Sequence, residues 1–173
     1  VTSAGHVLYL KNAVDITITD TSAEQTGKIE STTLDEVILV HDTSAINLTI
    51  EGGTLSSAGR VIVAHSAFAE VLTVNLTIKG GTLQTALNEY IWWGSTGVLD
   101  LSDYANPAGI TVNNFSGAEP NITLPAGYSF YDKKGNRVDG AFENVLYIID
   151  ETKYAFDYVV ENAAVSFEPA QGD

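Results

Sequence analysis

Two histidines, a scatter of carboxylates and one aromatic run are the places where chemistry can reside in this chain. His41 and His65 each follow an apolar run, VILV at 37–40 and VIVA at 61–64. If those runs are strands stacked one above the other, the two imidazoles approach as metal ligands do. Zinc takes three or four protein ligands, and no carboxylate or third ligand accompanies this pair, so no metal is expected. Asp100 and Asp103, with Asp42 and Glu89, offer carboxylates of the kind a glycosidase holds about 5–9.5 Å apart. With 22 acidic residues in the chain, however, chance proximity of two is ordinary. The 8 basic residues form no recognisable constellation with aspartates. No catalytic residue and no cofactor are expected, and the chain does not read as an enzyme. The run Asp132 to Asn136 lacks the ligand spacing of a calcium loop, and a hairpin turn explains it. Asn-x-Ser/Thr occurs at Asn47, Asn75, Asn114 and Asn121; it permits glycosylation only in a secretory pathway that performs it.

The aromatic run gives a sharper expectation. Aligned by the turns that follow them, residues 37–41, 61–65 and 89–93 fall over one another. Alternation then splits them into two faces. Ile38, Val40, Ile62, Ala64, Tyr90 and Trp92 point in, while Leu39, His41, Val63, His65, Ile91 and Trp93 point out. Tyr9 and Lys11 extend the outer row. An exposed apolar and aromatic stripe is a candidate contact surface. The ligand-binding residues expected are therefore Tyr9, Leu39, His41, Val63, His65, Ile91 and Trp93. The competing reading is that the C-terminal segment covers this stripe.

What must position these residues is a repeat. Residues 46–55 read INLTIEGGTL and residues 74–83 read VNLTIKGGTL, 28 residues later with eight of ten positions identical. Apolar and polar residues alternate within each copy, which is a strand period, and a Gly-Gly turn follows. Recurrence of a strand–turn unit over tens of residues marks a repeat architecture. Each unit has an alternating strand (VDITI, INLTI, VNLTI), a short strand after glycine (GKIE, GGTL, GGTL) and an apolar strand (VILV, VIVA, YIWW). Stacking predicts three ladders: Ile16, Leu48, Leu76; Ile18, Ile50, Ile78; and Ile29, Leu55, Leu83. The first spacing is longer, 32 residues, with the excess at the Asp20 to Gly27 turn. After Val98 the repeat blurs, with Val98 to Leu101 a degenerate first strand and Gly109 to Val112 a second. Residues 122–140 read as a hairpin turning at Asp132 to Asn136. Residues 145–149, 154–160 and 164–167 read as an antiparallel meander that covers the last repeat, because an open sheet end invites aggregation.

Composition sets the outer bounds. The 173 residues are 45% apolar and 17% charged, enough for a folded core. The net charge of −14 argues against nucleic acid as a partner, and against an anionic membrane surface. No stretch is apolar for long enough to insert in a membrane. There is no Cys, so disulfides and thiolate metal sites are excluded. The first residues lack the basic start and apolar run of a signal peptide, and the chain reads as a piece cut from something longer.

Together, ITITDTSAEQTGKIE, the xLTIxGGTL units and ITLPAGYSFYDKKGNRV resemble surface proteins of Gram-positive gut bacteria, over roughly residues 1–140. Those proteins carry right-handed parallel β-helix domains similar to the pectate-lyase architecture. The resemblance implies an extracellular or cell-surface location and an adhesive role, and it supplies no catalytic residues. An LPxTG-type sorting motif is absent from these residues. The expected fold is thus all-β: a right-handed single-stranded parallel β-helix (solenoid) over 1–117, a transition and β-hairpin over 118–140, and a C-terminal antiparallel cap over 141–173. The expected role is a non-catalytic binding module. Its partner would be a host or neighbour-cell glycan or glycoprotein, of the mucin or immunoglobulin kind, met by a flat β face. The alternatives are a structural stalk or spacer and, further off, a fragment of a polysaccharide lyase or hydrolase.

Overall fold

The structure is a computed structural model that describes residues 1–11, 14–40, 45–64, 73–115, 120–142 and 144–153, together with the backbone of 160–161 and 164–165. Strands follow one another in threes. The first set is β1 (Thr2–Ser3), β2 (Leu8–Leu10) and β3 (Val14–Ile18). The second is β4 (Lys28–Ser31), β5 (Ile38–Val40) and β6 (Ala45–Ile50). The third is β7 (Thr54–Ser57), β8 (Ile62–Ala64) and β9 (Thr73–Ile78). The fourth is β10 (Thr82–Thr85), β11 (Ile91–Trp93) and β12 (Val98–Asp100). Then come β13 (Thr111–Asn114), β14 (Asn121–Thr123), β15 (Tyr128–Tyr131) and β16 (Asn144–Asp150). The short β17 (Val160–Glu161) and β18 (Ala164–Val165) pair antiparallel with each other.

Every third strand joins the same sheet, and within the sets the pairing is parallel. One sheet runs β1-β4-β7-β10, a second β3-β6-β9-β12-β14, and a third contains β2-β5-β8-β11-β13. This order is compatible with a β-helix-like fold. No helix is found among the described residues. The three predicted ladders are all present as register partners. Leu48 pairs with Leu76, and both side chains are almost fully buried. Ile46, Ile50, Val74, Ile78, Leu55 and Leu99 join them in one apolar core.

The corner after the first NLTI strand shows why Gly-Gly recurs. Gly53 and Gly81 both hold a left-handed φ, 79° and 85°, which an L side chain resists. They also stack: a Cβ on Gly81 would lie 2.6 Å from the Gly53 carbonyl oxygen. Thr82 N–H donates to that same carbonyl at 2.8 Å, as Thr54 N–H does to Gly27. The longer first spacing is accommodated where the sequence placed it. Asp20 accepts from Ser22 N–H (2.9 Å), Ser22 Oγ (2.6 Å) and Gly27 N–H, closing the extra loop on one carboxylate. These donors hold the Asp20 carboxyl below the usual aspartate range.

Three expectations are corrected in the later part. Residues 109–112 were read as a second, glycine-led strand, but β13 pairs with β11 and belongs to the third kind. No strand of the second kind accompanies it; instead Leu101 and Tyr104 are buried there, and Tyr104 Oη donates to Gly81 O at 3.2 Å. The proposed hairpin over 122–140 is shorter than expected. Asn121–Thr123 pairs in parallel with β12, and the reversal proper runs from Phe130 to Val138 through the Asp132 turn. Finally, 145–149 does not join a meander with the later strands. β16 pairs antiparallel with β13 on one side and β15 on the other. It therefore continues the third sheet edge-on rather than lying across its face. Residues 154–159 and 166–173 lie outside the described residues.

Candidate functional site

The site is the outer face of the seven-stranded sheet, order β15-β16-β13-β11-β8-β5-β2. Register sets its columns. Leu8, Ile38, Ile62, Ile91 and Val112 form one inward column. Leu10, Val40, Ala64, Trp93 and Asn114 form the other. Between them Tyr9, Leu39, Val63, Trp92 and Asn113 share the outward column.

Tyr9, Leu39 and Val63 therefore stand in the outward column as expected, with Tyr9 exposed, Leu39 half-buried and Val63 at 6% exposure. Ile91 and Trp93 do not. Both are fully buried in the core, and Trp92 takes the outward place. The cause is one residue of corner length. From Leu55 to Ile62 is seven positions, and from Leu83 to Ile91 is eight. Alignment from the following turn missed that insertion, and a slip of one reverses every side chain in a strand. Asn88, in the lengthened corner, takes a left-handed φ of 55°. The buried alternative also packs well, because Trp93 sits beside Ala64 and the small residue leaves room for the indole. His41 and His65 lie outside the described residues, as does Asp42.

A charged column that the sequence reading missed runs beside the outward one. His6, Glu36, Arg60 and Glu89 each stand two positions before the strand residues Leu8, Ile38, Ile62 and Ile91. His6 Nδ1 lies 3.0 Å from Glu36 Oε2. Arg60 Nη1 is 2.9 Å from Glu36 Oε1, and its Nε is 3.1 Å from Glu89 Oε2. The same guanidinium lies over the Trp92 ring, 3.6 Å from the centroid, a contact worth about 0.5–2 kcal/mol depending on exposure. Phe115 meets Trp92 at 4.6 Å between centroids, and Phe115 is itself exposed. At the other end, the His6 ring stacks on Tyr9 at 5.9 Å and Lys11 Nζ sits 4.8 Å over Tyr9. The signal was available: H-V-L, E-V-I, R-V-I and E-Y-I repeat a charge two places before each aliphatic anchor. Aligning on that triplet gives the observed register.

The other candidates have local partners. Asp100 accepts from Ser102 N–H at 3.0 Å, and that contact keeps its carboxyl below the usual range. A general acid needs the opposite shift. Glu89 is held by Arg60. Asp132 accepts from Lys134 N–H and Asn136 N–H at 2.7 and 2.9 Å, so its oxygens serve the turn. Asn47 and Asn75 form a ladder, with Asn47 Nδ2 donating to Asp15 Oδ1 at 2.6 Å and Asn75 Nδ2 to Asn47 Oδ1 at 2.8 Å. Asn114 is buried and donates to Phe142 O at 2.6 Å.

Compared with family models, with curated proteins and with solved structures, the chain finds no match in any of the three.

Proposed function

We propose that the chain is a non-catalytic binding module of an extracellular or bacterial cell-surface protein, built as a right-handed parallel β-helix with the β15–β16 pair closing one end. Its contact surface is the outer face of the seven-stranded sheet. Its ligand is a glycan or glycoprotein of a host or neighbouring cell, of the mucin or immunoglobulin kind. The observation that carries the reading is the outward column of Tyr9, Leu39, Val63 and Trp92 with Phe115 against Trp92. Aromatic side chains on a sheet face lose little freedom on binding, because parallel pairing already fixes their rows. Sugars stack on such rings, and Arg60 and Lys11 beside them supply donors for hydroxyl and carboxylate groups.

The test is binding of the purified chain to immobilised mucin, to immunoglobulin and to a glycan array. Trp92→Ala and Tyr9→Ala should each weaken the positive interaction about tenfold, with an unchanged circular dichroism spectrum. If no surface captures the wild-type chain, the binding reading is lost; if both variants bind as well as wild type, the face is not the site. A spacer role is the second reading. It is favoured by the near-burial of Val63 and by the Arg60 guanidinium lying over Trp92, which leave less of the column open to a ligand.

A further inference from the structure

We propose that His6, Asp35 and Glu36 form a binding site for a divalent transition cation, with zinc as its best probe. The site stands independently of the glycan-binding reading. His6 lies between β1 and β2, and Asp35 and Glu36 lie between β4 and β5, so the cation would tie the first set of strands to the second. One imidazole nitrogen and one oxygen from each carboxylate all lie within 4.8 Å of one another. The closest pair, His6 Nδ1 and Glu36 Oε2, is 3.0 Å apart. Tetrahedral zinc with bonds of about 2.0–2.1 Å sets its ligand atoms about 3.3 Å apart, so small side-chain rotations complete the set. An imidazole with two carboxylates is a donor set for zinc and its transition-metal neighbours rather than for calcium, which takes oxygen alone.

The surroundings orient these ligands. Thr33 Oγ1 donates to Asp35 Oδ2 at 2.9 Å. That oxygen faces the chain near His6: a Cβ on Gly5 would lie 3.9 Å from it. The imidazole stacks on Tyr9, and Arg60 holds the far oxygen of Glu36, leaving the near one toward His6. Such outer contacts fix ligand direction in metal sites. The charge also matches. Asp35, Glu36 and Glu89 against Arg60 give three negative charges and one positive, a net −2 that a divalent cation neutralises. Glu36 is buried while His6 is exposed, so the cluster is walled on one side and open to an entering ion and a completing water on the other.

Isothermal titration of the tag-free, metal-stripped chain with zinc chloride tests this, with calcium chloride titrated in parallel. One zinc per chain is expected. His6→Ala and Asp35→Ala should each weaken binding at least about tenfold, while both variants keep the wild-type circular dichroism spectrum. The double variant His41→Ala/His65→Ala should bind zinc as wild type does, since those are the other two histidines in the chain. The proposal is overturned if zinc does not saturate, if His6→Ala leaves the affinity unchanged, if the double variant abolishes binding, or if calcium binds as tightly as zinc and ignores His6.

Discussion

Asp150 shows how one buried side chain can be read for its pH dependence. It sits at the end of β16 with little exposure, accepting from Thr152 Oγ1 at 2.6 Å and Thr152 N–H at 3.0 Å, and paired with Lys153 Nζ at 3.0 Å. The Thr152 hydroxyl leads these contacts in pulling its pKa down to about 2. A carboxyl depressed in the folded chain adds stability above the ordinary aspartate pKa of about 3.9, and that stability fades as pH falls toward the folded value. Asp150→Asn should therefore melt below wild type at pH 6. The gap should close as pH is lowered from about 4 to about 2; thermal melts across that range check it, and a gap constant with pH would refute it. The two tryptophans illustrate a different point at the same scale. Trp92 and Trp93 are chemically identical neighbours, and only register decides that one meets Arg60 and Phe115 while the other fills the core beside Ala64. Neither indole N–H finds an acceptor among the described residues. We have no physical account of why both are left so.

At the scale of the element, the strands were legible and the corners were not. VDITI, INLTI and VNLTI announce themselves by alternation, and their register partners follow from the duplicated NLTI. Corner length is harder, because a corner has no hydrophobic period to count. One extra residue before β11 passed unseen, and it exchanged the two faces of that strand. The glycine corner is the exception, since its backbone angles restrict the residue type. Gly81→Ala should cost about 1–2 kcal/mol for the left-handed angle alone, and more because the new Cβ meets the Gly53 carbonyl. Gly109 has a similar φ of 79°, yet a Cβ there meets nothing within 4 Å. Urea unfolding should show Gly81→Ala as the more damaging of the two; equal costs would mean that the stacked corner contributes nothing beyond its φ.

Across the whole molecule, apolar burial is deepest in the middle sets of strands. Leu48 and Leu76 are sealed between neighbours on both sides, whereas Ile16, in the first set, is half-buried. Leu48→Ala should cost about 2–5 kcal/mol by opening a cavity, and Ile16→Ala clearly less; chemical denaturation of the two variants measures the gradient. At the far end, β16 satisfies the open edge of β13 by antiparallel pairing, which is the expected treatment of a sheet edge by an unexpected route. The sequence alone determined that the chain is all-β, that its strands stack in parallel at a spacing near 28 residues, and which aliphatic residues form the ladders. Those follow from short-range alternation and from the duplication, both of which are written in residue order. Only the tertiary structure decided which tryptophan faces out, that His6 and Glu36 meet across thirty residues, and that β16 extends a sheet instead of covering it. These depend on how corners of unequal length bring distant strands into register, and that is a property of closure in space rather than of any local pattern.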